Sequence, residues 1–275
     1  MKAITVLVDN TANGDLHSEH GLSFWIECDG KHLLFDTGQT NIIASNAAQI
    51  GVDLADTNAV ILSHGHYDHA GGIPSVFRAA KNASLYLHPK SLEAKYSRKS
   101  DRVNTVGIQK DAREVIESMT AKDKVVRTEK PLEILPGLFV TGQIPRENKF
   151  EDTGGDFFLD KNCSQADPLS DDQALFFETE KGLVVVLGCG HAGVVNTLDY
   201  ICKLTSSQKI HTLIGGLHLV NASDERICKT IEVLEKYKIA NIGPAHCTGK
   251  NAQSRFKSIF AERYFVCAAG LKMNF

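Results

Sequence analysis

No two of the seven cysteines stand in a CxxC pair. Cys28, Cys163, Cys189, Cys202, Cys228, Cys247 and Cys267 are scattered and odd in number. That argues against a disulfide framework and against a thiolate zinc knuckle, and leaves them to be read as small apolar residues of the core. There is no block of lysine and arginine, and the formal net charge is -3, so nucleic acid is not expected as a partner. No apolar run is long enough to span a bilayer, which removes the membrane as a partner. The stretch Met1 to Asp9 lacks the apolar core and small-residue cleavage site of a signal peptide and reads as a first strand, which predicts a cytoplasmic location. A Walker-type phosphate loop is missing too.

The 275 residues suffice for one layered α/β domain. Gly21 to Cys28 and His32 to Phe35 read as a hairpin around Asp29-Gly30. A helix over 42–50, a strand over 60–62, a helix over 73–80 and a strand over 84–87 follow. Residues 90–175 are charged, broken by proline and glycine, and hard to phase, with one short helix expected over 111–119. Within them, 147–172 is acidic and glycine-rich, the composition of a surface loop or of a lid over a pocket. Lys90, Lys95, Arg98, Lys99 and Arg102 form a local basic group whose default reading is a solvated face.

Order then returns. A hairpin is expected over 174–187, helices over 193–204, 224–237 and 252–260, and strands over 210–214, 239–242 and 264–267. In the helix over 224–237, Ile227, Ile231 and Leu234 share one face. The run 31–64 is echoed by 181–218. Each has a hairpin return, a crossover and strands ending in Gly/His loops, so two similar halves are expected to pack sheet against sheet with helices outside both.

The densest chemistry is Ser63-His64-Gly65-His66-Tyr67-Asp68-His69, which follows the apolar strand Asn58 to Leu62. Three imidazoles and a carboxylate within six residues are what borderline divalent metals prefer. Further histidines stand at strand ends: His191 in Gly188-Cys189-Gly190-His191-Ala192-Gly193, His218 in Ile214-Gly215-Gly216-Leu217-His218, and His246 in Pro244-Ala245-His246-Cys247-Thr248-Gly249. The alternative for each is a satisfied structural histidine. His17 and His20, in the polar loop Asn10 to His20 near the expected mouth, read as solvated loop residues, with a substrate contact by one of them as the alternative, and His88 as a strand-end residue able to touch an anion.

Ser63 to Gly72 resembles the HxHxDH signature of the metallo-β-lactamase superfamily, and Asp36-Thr37-Gly38 after the second hairpin strand extends the resemblance over nearly the whole chain. The four histidine motifs together are similar to one subfamily, the dihydropterin-ribofuranosylaminobenzene 5'-phosphate synthases, many bacterial members of which carry only a general label of metal-dependent hydrolase. The resemblance implies a four-layer αββα sandwich, with residues 1–275 as a single domain carrying an irregular insertion near 90–175. It implies two divalent metal ions, zinc first with manganese or iron as alternatives. His64, His66 and His191 would hold one, and Asp68, His69 and His246 the other. Asp36 would stand behind a metal-bound imidazole and fix its tautomer.

Many hydrolases of the superfamily carry an Asp that bridges the two metals. The nearest local match here puts Leu217 in that place, so His218 is left as a terminal ligand or a substrate contact. Cys189 and Cys247, which flank His191 and His246, are read as packing near the site, with a softer ligand role as the alternative. Asp68 and His218 are the catalytic candidates, the first orienting a water and the second protonating a leaving group. The expected activity is hydrolysis of a phosphorylated or ester substrate that is small and anionic. The alternatives are the synthase reaction, a transfer displacing pyrophosphate from a pterin, and a metal-dependent metabolite-binding protein without catalysis. Oligomeric state is not legible.

Overall fold

A computed structural model describes residues 2–275. Two large sheets face each other. One has seven strands in the order Lys272–Asn274, Lys2–Val8, Ser23–Cys28, Lys31–Phe35, Ala59–Ile61, Ser84–Leu87 and Val125–Arg127. The other has six, in the order Asn241–Ala245, Ile210–Gly216, Gly182–Leu187, Ala174–Thr179, Leu138–Val140 and Leu132–Leu135. Each passes from antiparallel hairpin pairing to parallel pairing. In the first, Lys31–Phe35 pairs antiparallel with its predecessor and parallel with Ala59–Ile61. In the second, Gly182–Leu187 pairs antiparallel with Ala174–Thr179 and parallel with Ile210–Gly216. The echo between 31–64 and 181–218 is this shared turn from hairpin to crossover.

Strand alternation builds the layers. Val184, Val186 and Phe177 face Phe24 and Phe35 between the sheets, while Leu183, Val185 and Leu187 point to the opposite face. In Lys2–Val8 a bulge after Val6 turns both Leu7 and Val8 outward. On the outer face of the first sheet lie the helices Ile42–Gln49, Ile73–Ala79 and Lys110–Thr120, buried through Ile43, Val76 and Ile116. On the outer face of the second lie Val194–Thr205, Asp224–Lys236 and Lys250–Phe260, buried through Leu198, Ile231 and Phe256. Three apolar cores separated by two sheets make the αββα sandwich. Among the described residues no helix is long and apolar enough to cross a membrane.

Three elements differ from the sequence reading. The first strand is Lys2–Val8, and Met1, included in that expectation, lies outside the described residues. The expected strand over 264–267 is a single bridge between Ile242 and Tyr264; the chain continues to a last strand, Lys272–Asn274, on Lys2–Val8. The strand expected over 239–242 runs Asn241–Ala245 instead, through Pro244. Proline is tolerated there because this is an edge strand.

The stretch 90–175 holds more regular structure than its composition indicates. Val125–Arg127 extends the first sheet, and Leu132–Leu135 with Leu138–Val140 extends the second. Tyr96–Lys99, Arg102–Thr105 and Phe157–Phe158 form a third, small sheet. Strands of two to four residues are too short to show a period. The basic group is not uniformly solvated either. Lys95 is 1 % exposed and donates to Asp167 and Asp171, each at 2.9 Å, and Asp171 in turn accepts from the Gly65 amide at 2.8 Å. A buried cation thus ties the 90–175 stretch to the histidine loop. Replacing it, Lys95→Met, leaves two buried carboxylates without a counter-charge. It is expected to destabilise the protein by about 3–5 kcal/mol, read as a lower urea midpoint at unchanged m-value.

Candidate metal centre

The histidine motifs meet at one end of the sandwich because each follows the C-terminal end of a parallel strand. His64 to His69 follow Ala59–Ile61, His191 follows Gly182–Leu187, His218 follows Ile210–Gly216 and His246 follows Asn241–Ala245. The loop after Ile61 lies close against its neighbour: a Cβ on Gly65 would stand 2.1 Å from the Ser91 carbonyl oxygen, so only glycine fits. Tyr67–Ala70 then coils into a single helical turn that carries Asp68 and His69.

Hydrogen bonds fix which nitrogen each ring presents. Asp36, with no exposed surface, accepts from the Ser63 amide at 2.7 Å, from Ser63 Oγ at 2.6 Å and from His69 Nδ1 at 2.6 Å. Ser63 Oγ also meets His64 Nδ1 at 2.9 Å. His191 Nδ1 donates to the Thr153 carbonyl at 2.8 Å, and His246 Nδ1 donates to Asn10 Oδ1 at 2.8 Å. The Nε2 atoms of His64, His69, His191 and His246 are therefore left to face inward. His64 Nε2 stands 2.9 Å from His66 Nδ1, and His246 Nε2 stands 3.1 Å from Asp68 Oδ2. The buried His191 Nε2 and His218 Nδ1 have no partner among the described residues.

Several sets of these donors lie close enough to hold an ion. His64, His191 and Cys189 form one set and His69, His246 and Cys189 another, the donor atoms in each within 4.8 Å of one another. His20, Asp68 and His246 form a third, and Cys189, His218 and Cys247 a fourth. An inward-facing, buried, orphaned nitrogen costs free energy unless something binds it, and the donor types suit a divalent transition metal. The site is a candidate metal centre.

Burial and local charge divide the rings by protonation. Burial holds the His64 and His191 pKa well below the ordinary value, and it also lowers that of His246. It brings His66 down to about 3 and His218 to about 4. His69 goes the other way: burial opposes its charge, but the Asp36 and Asp68 carboxylates outweigh that and raise it to about 9. Asp68 is also opposed by burial, yet His69, His20 and His246 hold it well below the usual carboxylate range. Five rings are thus neutral at pH 7 and offer lone pairs to a cation.

All the expected residues come together here: His64, His66, Asp68, His69, His191, His246, His218 and Asp36. Leu217 does not, being 1 % exposed in the outer core of the second sheet. Asn10 is missed in the sequence, while His20 and Cys189 come to the site through the weaker of their two readings. His20, read as a solvated loop residue, places Nε2 3.1 Å from Asp68 Oδ2 and its ring 4.7 Å from that of His246. Cys189 Sγ lies 3.1 Å from His69 Nε2. His88 instead caps the turn Pro89–Leu92, accepting from the Lys90 amide. The small third sheet covers the site. The Phe157 ring is 5.1 Å from both His66 and His191 and 5.9 Å from His218.

The geometry has relatives. The model of the metallo-β-lactamase superfamily matches residues 19–160. The 7,8-dihydropterin-6-methyl-4-(β-D-ribofuranosyl)-aminobenzene-5'-phosphate synthase of Methanocaldococcus jannaschii is 31 % identical over 273 residues, covering 96 % of this chain and 92 % of that one. The crystal structure of Tm1679, described as a metal-dependent hydrolase of the β-lactamase superfamily, superposes with a TM-score of 0.81 at 31 % identity, over 100 % of this chain and 99 % of that one. A diphosphatase of the PhnP family shares the fold, with a TM-score of 0.55 at 14 % identity over 100 % and 98 % of the two chains. With the HxHxDH loop, the paired sheets and the inward-facing rings in place, this chain belongs to the metallo-β-lactamase superfamily.

Proposed function

We propose that the protein is a metal-dependent group transferase of the dihydropterin-ribofuranosylaminobenzene 5'-phosphate synthase type, acting on phosphorylated substrates. The near full-length relationship to that synthase carries the reading. It ranks the transfer above the hydrolysis first expected from the ligands alone. Hydrolysis remains the second reading, favoured by the equal identity to Tm1679.

His64, His66 and His191 would hold one divalent ion, and Asp68, His69 and His246 the other. Zinc suits this imidazole-rich set best. When bound, such ions neutralise charge on diphosphate oxygens and so ease departure of that group. In the transfer, the arylamine nitrogen forms a bond to the pterin methylene carbon. The carbon–oxygen bond to diphosphate breaks, diphosphate keeps the electron pair, and the surplus amine proton passes to diphosphate or to water.

His218, held neutral by burial with its pKa at about 4, serves this step as a hydrogen-bond partner of the leaving group rather than as an imidazolium acid. Asp36 keeps His69 in the tautomer that presents Nε2. Phe157, lying over three of the histidines, keeps water from competing with the amine.

The test supplies a pterin methylene diphosphate with and without the ribofuranosyl-aminobenzene phosphate. Coupled product and one diphosphate per turnover, both abolished by a chelator, are expected. Diphosphate released equally fast without the amine would replace transfer by hydrolysis.

His191→Ala is expected to lower the number of ions bound per chain and to reduce turnover about 100-fold or more. Asp36→Asn is expected to weaken metal binding by about 10- to 100-fold.

The same variant has a pH signature in the metal-free protein. The His69 pKa is raised when folded, to about 9, against about 6.5 when unfolded. The ion pair therefore stabilises fully below about pH 6.5 and loses its effect as pH rises through about 9. The stability gap between wild type and Asp36→Asn, followed by urea unfolding, is expected to narrow over that window; a gap that widens would reverse the assigned charge.

A further inference from the structure

Neither of the two candidate histidine sets, His64 with His191 and His69 with His246, includes a carboxylate. Leu217, the local match to the bridging Asp of related hydrolases, is in the outer core. Asp68 groups with His20 and His246, its Oδ2 3.1 Å from His246 Nε2. What stands between the two histidine sets is sulfur.

Cys189 is common to the set with His64 and His191 and to the set with His69 and His246. Its Sγ is 3.1 Å from His69 Nε2, and the residue is 2 % exposed. The backbone is shaped to put it there. A Cβ on Gly216 of the neighbouring strand would lie 3.1 Å from Cys189 Cα and 2.6 Å from Cys247 Sγ. The flanking Gly190 has a φ of +68°, which L side chains rarely adopt.

Packing alone does not account for a thiol among imidazoles. A buried cysteine serving as a small apolar residue sits among aliphatic side chains. The orphaned, fully buried Nε2 of His191 opens on the same space. Cys247 lies beside it, its Sγ donating to the Cys189 carbonyl at 3.4 Å.

We propose that the Cys189 thiolate is the donor shared by the two metal positions, in the place a bridging carboxylate occupies in related hydrolases. The inference rests on the two-ion reading above. On binding, the thiol gives its proton to solvent and two sulfur–metal bonds form. A thiolate bridge draws the centre toward zinc, cobalt or cadmium and away from manganese or magnesium, which favour oxygen ligands. It also explains how the chain dispenses with the missing Asp.

Cobalt(II) is the probe, titrated into the full-length metal-free protein. Two ions per chain and a near-ultraviolet thiolate-to-cobalt charge-transfer band are expected in wild type. Cys189→Ser should lose the band and weaken the second ion at least about tenfold. Cys189→Asp should restore two ions without the band. Two cobalt ions bound with no band, or a band surviving in Cys189→Ser, would overturn the thiolate bridge and leave the two-ion reading standing. Wild type that binds no cobalt would overturn both. Where Cys189→Ser fails to fold, Cys189→Asp decides the matter.

Discussion

The metal end of the molecule depends on one buried carboxylate. Asp36 sits at the end of strand Lys31–Phe35, in the left-handed region at φ +62°, and its amide donates to Ile61 of the neighbouring parallel strand at 2.9 Å. Its two oxygens take the Ser63 amide, the Ser63 hydroxyl and the His69 ring. An isolated buried charge is costly, and each of these donors offsets part of that cost. The same bonds settle three things: where the strand ends, where the histidine loop turns, and which nitrogens of His64 and His69 face inward. Losing the carboxylate alters register, loop and tautomer together.

A second buried charge, Lys95, performs a similar task for the cover. Through Asp171 it reaches the Gly65 amide, so the small sheet carrying Phe157 is tied to the loop it covers. A transfer enzyme needs such a cover more than a hydrolase does. In hydrolysis water is the nucleophile, whereas in transfer water is the competitor. The aromatic ring over His66, His191 and His218 is therefore a feature that the two functional readings value differently.

The sandwich and most of the centre were legible in the sequence, for an identifiable reason. His64 to His69 fall within one loop, and His191 and His246 follow glycine- or proline-marked strand ends, so their chemistry is local. Asn10 and the buried pairing of Lys95 were not legible, and the site roles of Cys189 and His20 stood only as the weaker alternatives, because their meaning depends on partners far along the chain. Cys189 meets His69 from 120 residues away, and Asn10 meets His246 across 236. A lone cysteine at the end of an apolar strand looks like core, and a lysine within a basic run looks solvated. Directly before His218 stands Leu217, which lies in the outer core of the second sheet and not at the site. In 90–175 the strands are too short to carry a period, so only their pairing reveals them.

Taken ring by ring, the centre is unfavourable to itself. Burial makes His64, His66, His191, His218 and His246 poor hosts for a proton, yet their lone pairs converge, with two ring nitrogens 2.9 Å apart. Water has little access, and among the described residues no donor reaches His191 Nε2. Only a cation that brings its charge without needing solvent resolves all of these at once. Such a cation binds the folded chain far better than the unfolded one, so its binding free energy adds to the stability of the fold. The sandwich can carry this strained end because its three apolar cores lie beneath it and do not depend on it. The metal is then free to be chosen for chemistry, and the choice of sulfur or oxygen at the shared position becomes a choice of which metal the chemistry uses.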